Sequence, residues 1–160
     1  MNVTDEGIKL IARWEGLHKV KRDGLVYPYL DKISRKKGLW TVGYGLTRIN
    51  GKRVTRDTGP FTKEECLDML KDEVLHLYAP ATSRALQVEL PDSAYSALVS
   101  FTYNLGAGNL RASTLLKKVN AGKFNEVPGQ FLRWNKSGGR VYKGLTLRRL
   151  DEAAMFMQEI

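Results

Sequence analysis

With 160 residues, 42% of them apolar and 27% charged, the chain can build a packed core as one domain or as two small lobes sharing a helix. Its net charge of +9, from 26 Lys and Arg against 17 Asp and Glu, favours polyanionic partners: nucleic acid, anionic lipid or a bacterial wall. No apolar run approaches the length that spans a bilayer, and Asp5, Glu6, Lys9 and Arg13 break the first segment as a secretory or anchoring stretch. The single Cys66, with only His18 and His76, excludes a disulfide framework and speaks against zinc, so a fold made in a reducing cytoplasm, without metal or cofactor, is expected.

The pattern predicts a first helix from about Thr4 to Glu15, with Thr4 or Asp5 as its cap and Gly16 as its stop. Ile8, Ile11 and Ala12 form one apolar face, and Glu15 is the next member of that set. A carboxylate therefore stands where the pattern asks for a buried side chain. From Leu17 to Val54, aromatic and β-branched residues punctuated by glycine predict two or three short antiparallel strands. Asn50-Gly51 marks a type I′ hairpin, and Asp23-Gly24 a second turn.

Thr62 and Glu65 read as a capping box, with Phe61 placed to staple against Cys66. The helix they open carries a stripe of Leu67, Leu70, Val74 and Leu77 and is expected to end near Tyr78, before Pro80. Pro91 to Asn104, apolar nearly all round, predicts a buried central helix. Short helices follow over Thr114–Asn120, capped by Ser113, and from Pro128 to Trp134. After a Ser137-Gly138-Gly139 loop, a last helix over about Thr146–Gln158 is expected to turn Leu147, Leu150, Ala154 and Met157 inward. The sum is a mainly α, α+β fold. Residues 1–60 form an N-terminal lobe with a small antiparallel sheet, 61–79 a long joining helix, and 80–160 an all-helical C-terminal lobe.

Three polar groups stand out in the first lobe: Glu15 at the helix end, Asp31 closing Tyr27-Pro-Tyr-Leu-Asp31, and Thr41 opening Thr-Val-Gly-Tyr-Gly45. Two carboxylates in unlike settings are what glycoside hydrolysis needs, one giving a proton to the leaving oxygen and one staying ionised. Spacing alone does not single them out, since helix-terminal Glu and strand Thr are common structural residues. Asp23 is a rival for the second carboxylate, although it sits in a turn before Gly24.

The wording of the segments adds to this. Ile11-Ala-Arg-Trp-Glu-Gly16, Tyr29-Leu-Asp31 and Gly38-Leu-Trp-Thr-Val-Gly-Tyr-Gly45 resemble the N-terminal pattern of T4-type phage lysozymes. Phe61–Cys66, Ala97–Gly106, Ser113–Leu116, and Trp134 with Gly144–Arg149 and Glu152 are similar, in order, to later segments of that family, so the resemblance covers essentially the whole chain. It implies a lysozyme-like fold and an inverting muramidase that cuts the β-1,4 bond between N-acetylmuramic acid and N-acetylglucosamine in peptidoglycan, leading to host lysis. Glu15 would be the general acid, and Asp31 with Thr41 would hold the attacking water. Arg148 or Arg149, Arg148 by preference, would reach the catalytic Glu; the competing reading is an i, i+4 pair of Arg148 with Glu152. Tyr29 and Tyr44 could line the cleft as substrate-binding residues.

The sequence departs from the family in two places. Fifteen residues separate Glu15 from Asp31 and nine separate Asp31 from Thr41, longer than usual and tolerable in extended hairpins. Leu46 stands where many relatives carry His. Two other readings compete. A lytic transglycosylase would cut the same bond and need only the Glu. A basic helical nucleic-acid module would bind DNA in a strongly salt-dependent way, but no recognition helix supports it, and the basic groups at Lys19–Arg22, Arg35–Lys37 and Arg148/Arg149 form no long run. The expectation is a monomer that meets no nucleic acid, waits in the host cytoplasm, acts on the bacterial wall, and depends on a partner such as a holin to reach it.

Overall fold

The computed structural model describes residues 1–32 and 38–160; the expected basic group Arg35–Lys37 lies outside the described residues. Those residues form two compact units, Ala12–Glu73 and a second made of Met1–Ile11 with Val74–Ile160.

Helix α1 spans Asp5–Glu15. Thr4 caps it, its Oγ1 accepting from the Gly7 amide at 3.0 Å, and Asp5 and Glu6 fall in the first turn, where the positive end of the helix dipole favours them. Ile8 and Ile11 are buried, as the pattern predicted. In the second unit the start of the chain is tied to the central helix, with the Thr4 amide donating to Ser96 Oγ at 2.9 Å.

The Ala12–Glu73 unit holds two hairpins. Strands β1 (Tyr29–Leu30) and β2 (Trp40–Thr41) pair antiparallel, and β3 (Arg48–Ile49) pairs with β4 (Lys52–Arg53). Asn50 and Gly51 both have positive φ, 49° and 78°, which is the type I′ geometry their sequence predicted. Behind the hairpins Val26, Val42, Leu46, Val54 and Cys66 form a buried cluster, with Trp40, Tyr44 and Phe61 packed against it. Gly43 lets the chain pass close over Cys66: with φ at +60°, an added Cβ would meet Sγ at 3.2 Å and Cβ at 3.3 Å.

Helix α2 covers Lys63–Glu73, and its capping box forms as expected. Glu65 N–H donates to Thr62 Oγ1 at 3.0 Å and Thr62 N–H donates to Glu65 Oε2 at 2.7 Å. The helical chain does not stop near Tyr78. A π-helical turn over Val74–Tyr78 leads into α3 (Ala79–Ser83), and Pro80 sits in the first turn of α3 rather than ending a helix. Proline is tolerated there because its missing N–H has no partner to lose.

In the helical unit, α4 (Asp92–Leu105) is buried from Ser93 to Tyr103, so it is the core helix the sequence predicted. Helices α5 (Ala107–Ala112), α6 (Thr114–Asn120) and α7 (Val127–Leu132) follow, with α6 capped by Ser113 Oγ accepting from Leu116 N–H. The expected Ser137-Gly138-Gly139 loop is the turn of a small hairpin, β5 (Lys136–Ser137) with β6 (Arg140–Val141). Phe101 packs edge-on against Phe131 and Trp134.

The last helix, α8, runs over Lys143–Phe156 and its buried face differs from the one expected. Leu147, Leu150 and Ala154 are exposed, whereas Arg148, Arg149, Glu152, Ala153 and Phe156 are buried. The apolar pattern misassigns the face because the charged residues neutralise one another inside the protein.

Candidate active site

The candidate groups of the first hairpin are positioned by its register. Tyr29 stands opposite Thr41, and Leu30 opposite Trp40. Alternation places Tyr29, Asp31 and Thr41 on one face and Leu30 and Trp40 on the other. Beyond the paired residues the Asp31 amide donates to the Leu39 carbonyl at 3.0 Å, and the Gly38 amide donates to the Asp31 carbonyl at 2.6 Å. The same Leu39 carbonyl accepts the Thr41 hydroxyl at 3.2 Å. Thr41 is 1% exposed, so its hydroxyl orientation is enforced by packing as well as by this bond.

Glu15 is the final residue of α1 and is half-buried. Gly16 turns the chain immediately after it with φ at +72°, while its amide still closes onto the Ala12 carbonyl at 2.9 Å. The His18 ring lies with Nε2 3.3 Å from the Glu15 carbonyl and meets Tyr29 edge-on at 5.7 Å between centroids. The Tyr29 phenol is pushed above its ordinary range by burial first, then by the Asp31 carboxylate and then by that of Glu15. Tyr29 is thus a phenol that both carboxylates influence, with Thr41 on the same rung.

Asp23 has a different setting. Its Oδ1 accepts from the Leu25 amide at 2.9 Å and its Oδ2 from the Tyr27 hydroxyl at 2.6 Å. The Tyr27 bond, followed by the Leu25 bond, holds the Asp23 carboxyl below its ordinary range. Both oxygens serve the turn. Tyr44 is half-buried over the Cys66 cluster, and burial raises its phenol.

In the helical unit Arg148 and Arg149 share Glu152. Arg148 Nε is 3.2 Å from Glu152 Oε1, and Arg149 Nε is 2.9 Å from Oε2. Ser100 donates its hydroxyl to Glu152 Oε1 at 2.7 Å, and Arg149 donates to Asn104 Oδ1 at 2.9 Å. The Arg149 guanidinium also lies 5.2 Å from the Phe101 ring centroid. Burial pushes the Glu152 carboxyl upward against the opposing pull of Arg149 and Arg148. The i, i+4 pair weighed in the sequence is present, as one arm of a larger buried network. Ser100 and Asn104 were not legible in it, because both come from α4, some fifty residues away.

Asp31 and Thr41 therefore share the β1–β2 hairpin, and Glu15 belongs to the same compact unit. Among the described residues no group of three or more His, Cys, Asp or Glu could hold a metal. A pair of carboxylates with a hydroxyl can move a proton and orient a water.

Comparison with known proteins identifies the family of the chain. The phage lysozyme family pattern matches residues 13–152. An endolysin of Bacillus phage B103 is 36% identical over 160 residues, covering 98% of this chain; the chain spans 54% of that protein's length. The solved endolysin of Escherichia coli O157:H7 phage FAHEc1 superposes with a TM-score of 0.82 at 29% identity, covering 100% of this chain and 96% of that one. The muramidase domain of SpmX from Asticaccaulis excentricus gives 0.75 at 25% identity, over 98% of this chain and 97% of that one.

Proposed function

This chain belongs to the phage lysozyme family, and we propose that it is a muramidase that hydrolyses the β-1,4 bond between N-acetylmuramic acid and N-acetylglucosamine in bacterial peptidoglycan. The observation that supports the reading is the shared face of Tyr29, Asp31 and Thr41 in the β1–β2 hairpin, with Glu15 closing α1 in the same unit. Glu15 gives its proton to the glycosidic oxygen as the bond breaks. Asp31 and the Thr41 hydroxyl hold a water on the far face of the sugar, and Asp31 takes its proton as it attacks. The product then has the inverted configuration, which requires the two carboxyls to stand about 6.5–9.5 Å apart so that the water fits between them.

Tyr29 and Tyr44 are assigned to the sugar-binding surface. Arg148 and Arg149 are assigned a supporting role through the buried Glu152 network of the helical unit. The preference for Asp31 over Asp23 rests on Asp31 sharing a face of the hairpin with Tyr29 and Thr41, whereas Asp23 lies in a turn that it stabilises. Among the described residues no helix is long and apolar enough to cross a membrane. We further assign monomeric action and release from the host cytoplasm through a partner pore such as a holin; sedimentation and co-expression with such a pore test these points separately.

Product analysis of digested wall tests the reaction. The expected products carry new reducing N-acetylmuramic acid ends, formed first as the α-anomer. Anhydromuramic ends would establish a transglycosylase and overturn the hydrolytic reading.

A further inference from the structure

The excess positive charge is not evenly distributed. From Lys32 to Arg56 the sequence has eight Lys and Arg and no Asp or Glu, which accounts for eight of the nine net charges. Within that stretch Arg48 and Arg53 are directly opposed across the β3–β4 hairpin, and both are exposed. Like charges facing one another at about 5 Å destabilise a hairpin unless something neutralises them. Arg48 donates to the Gly51 carbonyl at 3.0 Å. Among the described residues neither arginine has a carboxylate partner, since no ion pair there involves either one.

The two arginines line a hollow of about 150 Å³, whose apolar wall includes Leu39, Trp40 and Val54. Trp40 lies on the face of β2 opposite to Thr41, and Leu39 on the same face as Thr41, so the hollow lies beside the strand that carries the candidates. A paired cationic fork beside an aromatic wall suits an oxyanion carried on a carbon skeleton, because guanidinium matches phosphate and carboxylate with two parallel bonds.

We propose that the hollow between the hairpins is an oxyanion-binding site, with Arg48 and Arg53 holding a phosphate or carboxylate group and Trp40 and Leu39 receiving the skeleton that bears it. The source of the oxyanion rests on the muramidase reading: a phosphodiester of an anionic wall polymer or a carboxylate of the peptidoglycan itself. The existence of the site does not depend on that reading. Occupancy would hold the wall beside the hairpin that carries Asp31 and Thr41.

The test is an NMR titration of the native protein, following the Trp40 indole N–H and the Arg48 and Arg53 Nε–H signals. Glycerol 3-phosphate and N-acetyl-D-alanine serve as probes, with sodium chloride at matched ionic strength. Saturable shifts with at least one oxyanion and none with chloride are expected, and the tighter probe names the source. Arg53→Gln should weaken that binding by about tenfold or more, as loss of a charge-assisted bond predicts. Arg48→Gln should do the same. Shifts that only track ionic strength, or variants that bind as tightly as the native protein, would overturn the proposal. A protein that clears walls without these shifts contradicts this site alone, and one that binds the probes without cutting walls contradicts the muramidase reading alone.

Discussion

Tyr29 and Thr41 face one another across the β1–β2 hairpin, one rung from the backbone bond that ties Asp31 to Leu39. The phenol on one side lies under the influence of both Asp31 and Glu15, while the hydroxyl on the other is buried and bonded to the Leu39 carbonyl that also anchors Asp31.

Asp31 and Asp23 should respond oppositely to the same change. Asp31→Asn is expected to lower the wall-clearing rate by about 10²-fold or more, the usual scale for a lost general base. Asp23→Asn should leave that rate within about twofold and affect only the turn. Parallel turbidity assays on the two variants decide this, and equal losses would contradict the assignment.

Glu152 holds two buried guanidiniums, so its removal leaves charges that water cannot reach. Glu152→Ala is expected to cost about 3–5 kcal/mol of stability, the range for breaking a buried ion pair from one side. Urea unfolding followed by circular dichroism measures it. A loss below about 1 kcal/mol would mean that the network is solvated in solution.

Burial pushes the Cys66 thiol up to about 11, so the thiolate that reacts with disulfide reagents is scarce near neutral pH. Ellman's reagent at about pH 8 should label the native protein far more slowly than the protein unfolded in guanidinium. Rapid labelling of the native state would contradict the close packing of Gly43 over Cys66.

Asp92 and Glu126 give an acid limb to the stability profile. The Asn2 amide holds the Asp92 carboxyl below its ordinary value, and the Lys118 ammonium does the same for Glu126. A depressed folded-state pKa stabilises above the unfolded value of about 4 and loses that contribution as pH falls through the folded one. The melting temperature should therefore fall between about pH 5 and about pH 2, and the double variant Asp92→Asn, Glu126→Gln should fall less steeply. An unchanged slope would show that neither carboxylate carries the effect.

The elements that could be read from the sequence were those built by local rules. The type I′ turn at Asn50-Gly51, the Thr62–Glu65 capping box, the Ser113 cap and the buried run of α4 each depend on residues within a few positions. The phase of α8 was not legible, because Arg148, Arg149 and Glu152 become core residues only when α4 supplies Ser100 and Asn104. The β5–β6 hairpin was missed since Lys136, Ser137, Arg140 and Val141 are all exposed and show no apolar alternation. Glu15 was legible from helix phase. The tie between Asp31 and Thr41 was not, because it runs through a backbone carbonyl that no side-chain pattern records.

The central claim is that Glu15 delivers the proton that breaks the glycosidic bond. Clearing of purified peptidoglycan by the native protein, measured beside Glu15→Gln at equal melting temperature, tests it most directly. The variant should retain its fold and lose at least about 10²-fold in rate. Equal clearing by the two proteins would contradict the account.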